Sequence, residues 1–195
     1  MKKFLSILIL VIAYACHKEQ SSTNNSQPIP ANIMSEGQVP PVNRTLNDSL
    51  KTDSTGIEVA MKFRSTEAAT IVGIRYYKTS GNIGNHVAQF YSADDSVLLA
   101  TAAFTNETDS GWQSVNFPTP VTIKPNVTYI AAYFSSLGFY TSTDGFLQSS
   151  VTNAPFKILS DGEDGPNGVF KYTNRPAFPD TAWIQTYYWI DLVAR

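Results

Sequence analysis

The sequence predicts an all-β fold, an antiparallel β-sandwich that is jelly-roll-like, with little helix outside the N-terminal signal segment. The first observation is that apolar and polar side chains alternate from residue 56 onward, which is typical of half-buried strands. The second is that turn residues separate these short runs, and the third is that no apolar repeat of helical spacing lasts for three turns. Together they favour many short strands in two layers.

The first strand shows the alternation most fully. In residues 56–64 the apolar side chains fall on one face and the charged ones on the other, Ile57, Val59, Met61 and Phe63 against Glu58, Lys62 and Arg64. The same spacing predicts further strands at residues 71–77, 87–91, 97–104, 112–117, 128–134, 169–172 and 187–193. Tight connections are predicted at residues 94–95 and 124–126, and Pro118 and Pro120 interrupt another run.

The N-terminus has the organisation of an export signal. Lys2 and Lys3 precede an apolar run ending at Ala15, which is shorter than the about 20 residues that a transmembrane helix needs. Ala15 stands directly before Cys16, the one cysteine of the chain. This arrangement resembles a bacterial lipobox, whose cysteine receives a lipid after cleavage. We predict a lipoprotein signal peptide at residues 1–15 and lipidation of Cys16, with ordinary secretion as the alternative.

The rest of the chain divides by composition. Residues 16–47 begin with the predicted lipidated cysteine and are then rich in Ser, Asn, Gln and Pro, which predicts a disordered tether. Residues 48–195 are long enough to bury one hydrophobic core, so we predict a single β-sandwich domain there. Because the chain has one cysteine, burial and hydrogen bonding must hold this domain together without an intramolecular disulfide.

The charge pattern bears on possible partners. The chain carries 14 basic and 16 acidic side chains, and cleavage of the signal would remove two of the basic ones. The basic residues do not cluster into a stripe, so nucleic acid is not an expected partner. The lipid predicts that the partner is a membrane and that the location is the bacterial outer membrane or cell surface.

Three strings in the predicted domain resemble the bacterial family called domain of unknown function 4082: IRYYK at 74–78, GNIGNH at 81–86 and ETDSGWQ at 107–113. Later strings agree in order and approximate spacing, among them YWID at 188–191. The resemblance covers about residues 56–193. Domains of this kind occur in secreted bacterial proteins beside carbohydrate-associated modules, so the resemblance implies an extracellular all-β module with a role in recognition.

Two candidate ligand-binding residues are polar. His86 is the one histidine of the predicted domain, which provides no second imidazole for a zinc site. It is interpreted either as a structural hydrogen-bonding residue or as a ligand contact. Glu107, with Asp109 and Trp112 nearby in sequence, predicts a carboxylate site with an aromatic wall. The alternative for Glu107 is a solvated acidic turn.

The aromatic residues supply the other ligand-binding candidates, because ring faces pack against the C–H surfaces of sugars. We select Trp112, Tyr140 and Tyr188, and for each of them packing in the core is the alternative. The full set of large aromatic side chains is Tyr76, Tyr77, Trp112, Tyr133, Tyr140, Trp183, Tyr187, Tyr188 and Trp189.

An acidic loop at residues 161–168 supplies a weak candidate for a metal site. Asp161, Glu163 and Asp164 offer the oxygen ligands that calcium prefers, but their spacing is not that of an EF-hand. We expect no cofactor, with calcium as the alternative.

These features predict a non-catalytic recognition domain on a lipoprotein, binding a carbohydrate or another extracellular ligand. One alternative is a structural or adhesive lipoprotein that contacts a cell-surface protein through a sheet edge or an apolar patch. The other is a glycan-active enzyme, which is disfavoured because the sequence shows no catalytic constellation.

Overall fold

The computed structural model describes residues 32–35, 37–38, 45–47 and 55–195, with the backbone alone described at 45–47. These residues form thirteen strands and a single 3₁₀ turn at Phe146–Gln148. The strands are β1 (Thr45–Asn47), β2 (Ile57–Ser65), β3 (Ala69–Lys78), β4 (His86–Ser92), β5 (Leu98–Ala103), β6 (Gly111–Ile123), β7 (Tyr129–Ser135), β8 (Phe139–Thr141), β9 (Val151–Asn153), β10 (Phe156–Ile158), β11 (Val169–Tyr172), β12 (Thr181–Ala182) and β13 (Ile190–Ala194). Within the described part of the chain, no helix is long and apolar enough to cross a bilayer.

The strands pair antiparallel in two main sheets. The large sheet has eight strands in the order β12-β11-β2-β7-β4-β5, with β10 and β9 attached beside β2. The small sheet has the order β13-β3-β6, and β1 pairs separately with β8. The pairs β2–β7, β3–β6 and β4–β5 are nested in sequence, as they are when one long hairpin winds into two layers. The predicted all-β antiparallel sandwich is confirmed.

The core lies between the two sheets. Phe63 of β2, Phe90 of β4 and Ile74 of β3 are fully buried in it. Tyr76 of β3 stacks on Tyr133 of β7 with ring centroids 4.3 Å apart, which joins the small sheet to the large one. The period-two alternation is therefore explained by one apolar layer that every second side chain enters.

A bulge in the small sheet requires a glycine. The pairing of β3 with β6 shifts in register between Ile71 and Gly73. A Cβ atom at Gly73 would lie 2.1 Å from the carbonyl oxygen of Val115, so no larger residue fits without moving the backbone of β6.

The outer face of the large sheet is less exposed than the sequence predicts. A second apolar cluster on this face includes Tyr91, Ile130 and Val169, and Phe178 packs against it from the segment between β11 and β12. Glu58 lies under the same segment and is completely buried, although it does face away from the main core as predicted. Burial raises the pKa of Glu58 to about 9, so its carboxyl is protonated at neutral pH.

The predicted boundary between tether and domain needs a correction. Ile33 and Met34, which lie inside the predicted tether of residues 16–47, are buried as part of the main core cluster. The backbone of β1 also falls inside that range and pairs with β8. The prediction was wrong for these residues because it rested on the average composition of residues 16–47, which is polar. Ile33 and Met34 are apolar and pack against the domain. The rest of residues 16–47, including Cys16, and the signal at 1–15 lie outside the described residues.

Candidate functional site

The outer face of the small sheet holds a segment of the chain's own N-terminal region. We call the described residues 32–35 and 37–38 the docked segment, and Arg75, Trp112 and Asp191 the docking site. The segment is bent, and a hydrogen bond from Gln38 N to Ser35 O at 3.0 Å closes its turn. The side chains of the docking site bind main-chain atoms of the docked segment.

Asp191 binds two consecutive peptide groups of the docked segment. Its Oδ1 accepts from Ile33 N and its Oδ2 from Met34 N, both at 2.9 Å. Leu192 N also donates to Oδ1 at 2.7 Å. A carboxylate that accepts adjacent N–H groups in this way recognises a backbone conformation rather than a side chain.

Arg75 lies between Asp191 and the docked segment. Its Nε and Nη2 donate to Asp191 Oδ2 at 3.1 and 2.9 Å, and Nη2 also donates to the carbonyl oxygen of Met34. The Arg75 and Asp191 side chains are 2% and 0% exposed, so this ion pair is removed from water. Burial raises the pKa of Asp191, while Arg75 and the amides of Ile33 and Met34 act in the opposite direction.

Trp112 completes the docking site on the side of β6. Its ring lies under the guanidinium of Arg75, with the Cζ atom 4.2 Å from the ring centroid, a cation–π arrangement. Its Nε1 donates to Gln38 O at 3.1 Å. At the other end of the docked segment, Asn153 Nδ2 of β9 donates to Asn32 O at 3.0 Å.

Strand register explains why these side chains meet. Arg75 in β3 is the direct partner of Asp191 in β13, so their side chains point to the same face. Trp112 in β6 is the partner of Tyr77, which lies two residues from Arg75 on that face, and their rings meet edge to face at 5.6 Å. The period of two places each of these side chains on one face of its strand, but one strand does not reveal its partner.

His86 and Glu107, both predicted site residues, are brought together at one end of the sandwich. His86 Nδ1 lies 2.9 Å from Glu107 Oε1, and Lys78 Nζ donates to Glu107 Oε2 at 2.7 Å. Tyr76 Oη is 2.9 Å from His86 Nδ1 and 3.1 Å from Glu107 Oε2. The cluster thus satisfies most of its own polar atoms.

The protonation of this cluster follows from burial and charge. Burial lowers the pKa of His86, and the opposing effect of Glu107 does not offset it, so the imidazole is neutral near pH 7. Because a carboxylate only accepts, the network assigns the imidazole proton to Nδ1, which donates to Glu107. Burial also disfavours ionisation of Glu107, but Lys78 and His86 outweigh it and lower the pKa of that carboxyl.

The predicted site residues do not form one site. Trp112 faces the docked segment, whereas Glu107 belongs to the cluster around Tyr76, whose side chain points into the core. Tyr140 and Tyr188 are together, with ring centroids 5.4 Å apart, but both are buried in the core cluster. The predicted carboxylate site with an aromatic wall at Trp112 is therefore not assembled.

The three acidic residues of the candidate calcium loop engage separate partners. Asp161 accepts from Asn167 N at 2.9 Å, Glu163 pairs with Lys157 at 2.7 Å, and Asp164 pairs with Arg64 at 2.9 Å. Within the described ranges, no group of three or more His, Cys, Asp or Glu side chains is placed to hold a metal ion.

Comparison with known families agrees with the resemblance in the sequence. A family model described as Domain of unknown function (DUF4082) matches residues 43–190, which is most of the chain. No curated protein matches the chain.

Proposed function

The chain belongs to the DUF4082 family, and from that premise we propose that it is a non-catalytic recognition module that binds short polypeptide segments on the outer face of its small sheet. The observation that carries this proposal is the pair of consecutive amides, Ile33 N and Met34 N, bound by the two oxygens of Asp191. Enclosure of His86 in the core supports the non-catalytic part, because a general acid or base must reach its substrate.

Energetic balance supports a reversible docking site. Two amides bound to a carboxylate, the Arg75 contact to Met34 and the burial of two apolar side chains contribute roughly 10 kcal/mol. Ordering the six described residues of the docked segment costs about 6 to 12 kcal/mol. Since the two quantities nearly cancel, another segment of similar chemistry can compete for the site.

A binding experiment tests the proposal on the full chain. Replacement of Ile33→Ser and Met34→Ser should weaken the docked segment and free the site, because both buried apolar side chains are lost. A fluorescent peptide with the sequence of residues 30–40 should then bind this variant more tightly than the unaltered chain, in which the native segment competes.

Two controls define the outcome. A peptide in which the residues corresponding to Ile33 and Met34 are serine should not bind, and Trp112→Phe in the freed variant should weaken binding because the donor to Gln38 O is lost. Absence of peptide binding at millimolar concentration, with the fold intact by circular dichroism, would refute the proposal.

We also propose that this module is exported and anchored by a lipid on Cys16 at the bacterial outer membrane or cell surface. The support is the signal-like sequence of residues 1–15 followed by the single cysteine. Metabolic labelling with a fatty acid should label the chain, and Cys16→Ser should abolish the label. A labelled Cys16→Ser variant, or an unlabelled native chain, would contradict this part.

A carbohydrate ligand remains the second candidate, and Trp183 is the observation that favours it. This side chain is 63% exposed, whereas the other aromatic candidates are buried or half-buried. Binding on a glycan array that is lost in Trp183→Ala and kept in Trp112→Phe would favour this candidate over peptide binding.

A further inference from the structure

The outermost strand of the large sheet, β5, has an unpaired side. Strand β4 pairs with one side of β5, and in the described residues no strand pairs with the other. Phe104 N donates to His86 O of β4, so by the period of two the main-chain groups of Ala103 and Thr101 point away from the sheet. These groups can pair with a further strand.

The free side of β5 carries neither charge nor proline, two features that commonly protect a sheet edge. Residues 96–106 carry no charged side chain and no proline. Other outer strands of the described sheets differ from it: β6 contains Pro118 and Pro120, β13 contains the charged residue Asp191, and β12 and β9 have two and three residues. Among these outer strands of the described residues, β5 combines a length of six residues with the absence of charge and proline.

Exposed apolar side chains adjoin this edge. Val97, Leu98 and Leu99 are 48%, 46% and 37% exposed and are consecutive in the chain. Phe90 of β4 pairs with Ala100 of β5, but Tyr91 pairs with Leu98, so Leu99 is the extra residue of a β-bulge. Because of this bulge, Leu98 and Leu99 both face outward. The hydrogen-bonding edge and the apolar patch thus form one surface.

We propose that β5 pairs with β5 of a second copy of this chain, antiparallel across a two-fold axis close to Thr101. Thr101 would then bond to its own equivalent, and Leu99 would cover the small side chain of Ala103 in the second copy. The two large sheets become one continuous sheet across the dimer. This interaction uses a surface separate from the docking site and does not depend on the proposed function.

Charge and symmetry favour a second copy over an unrelated strand. A two-fold axis at Thr101 places each side chain of β5 opposite its own equivalent or another residue of β5, so a charge in β5 would meet either its own copy or an uncharged side chain, and neither compensates it. The absence of charge in residues 96–106 meets that requirement. The free main-chain groups of β5 include both N–H donors and C=O acceptors. The β5 strands of two copies can therefore satisfy each other's hydrogen bonds.

Sedimentation of the mature chain over micromolar concentrations tests the proposal. The native protein should show a monomer–dimer equilibrium, and Leu99→Lys should raise the dissociation constant by roughly tenfold or more, because each copy loses the apolar contact of Leu99 with Ala103 and gains an uncompensated charge at the edge. Leu137→Lys is the matched control, since Leu137 is 41% exposed but lies outside β5, and it should leave the equilibrium unchanged. A native protein that is monomeric throughout would overturn the proposal.

A charge-pair experiment tests the two-fold register. Ala103→Lys and Leu99→Asp should each weaken the homodimer, and an equal mixture of the two variants should restore a heterodimer in which the lysine faces the aspartate. Circular dichroism of each variant establishes that the monomer is folded. Open-ended aggregation of the native chain, or a mixture that stays as weak as its components, would contradict pairing across this axis.

Discussion

Arg75 and Asp191 are both buried, so each depends on the other to compensate its charge. We predict that Asp191→Asn lowers the free energy of unfolding by about 3 to 5 kcal/mol, because Arg75 keeps its charge without an ionised partner. The matched control is Asp180→Asn, which removes an exposed ion pair with Lys171 and should cost less than about 1 kcal/mol. Urea unfolding of both variants measures the difference, and similar losses would contradict the prediction.

Glu58 gives a pH-dependent prediction because its pKa is raised to about 9 in the folded state. The unfolded carboxyl ionises near pH 4.5, so above that pH the unfolded state releases a proton that the folded state retains. Above pH 4.5 this group therefore lowers the free energy of unfolding by ~1.4 kcal/mol for each pH unit. The total loss at pH 7 is roughly 3 kcal/mol. The effect is absent below the unfolded pKa and stops growing above the folded pKa.

Glu58→Gln removes this titration while keeping the side-chain shape. The variant should be close to the native chain in stability at pH 4.5 and increasingly more stable as the pH rises. Chemical unfolding of both proteins across this range measures the gap. A constant gap would show that Glu58 ionises normally, in which case the segment between β11 and β12 does not shield it.

The turn after β12 is strained. Ile184 has a φ of 34°, in the left-handed region that β-branched residues avoid, and its side chain is 47% exposed. We predict that Ile184→Gly raises the free energy of unfolding by about 1 kcal/mol, which is roughly 3 °C in the melting temperature. Ile83→Gly, at an exposed residue without a positive φ, should instead lower stability slightly. Calorimetry should separate the two variants in sign.

Most long strands could be predicted from sequence, because the side chains that enter the core between the sheets recur at every second residue. The prediction for residues 187–193 was less accurate, since β13 begins at Ile190. Trp189 has a φ of 52°, and Tyr187 and Trp189 are buried with Tyr188 instead of alternating with it. Short strands such as β8, β9 and β12 were missed, because two or three residues are too few to show a period.

Deuterium exchange should report the docking equilibrium. We predict that the amides of Ile33 and Met34 exchange more slowly than exposed amides, because both are bound to a buried carboxylate, but faster than those of β3, because undocking releases them without unfolding the sandwich. Asp191→Asn should make both amides exchange quickly, and Asp180→Asn should leave them protected. Rapid exchange in the native chain would contradict docking.

The family and the sandwich could be predicted from the sequence, but the docking site could not. Its parts come from three strands and from a segment more than 150 residues away from Asp191, as the bond between Ile33 and Asp191 shows. The signal that could have indicated it is the pair of consecutive large apolar residues Ile33-Met34 in a region that is mostly polar. One sequence gives no information on which surface such a pair binds.

Docking also changes what proteolysis can do to this molecule. If a protease cut the peptide chain between Gln38 and Thr45, the upstream fragment would still be held through Asp191, Arg75 and Trp112. Shedding of the sandwich from whatever the upstream fragment is attached to would then need two events, hydrolysis of a peptide bond and dissociation of a non-covalent complex. The rate of release would then depend on how fast the fragment dissociates as well as on how fast the chain is cut.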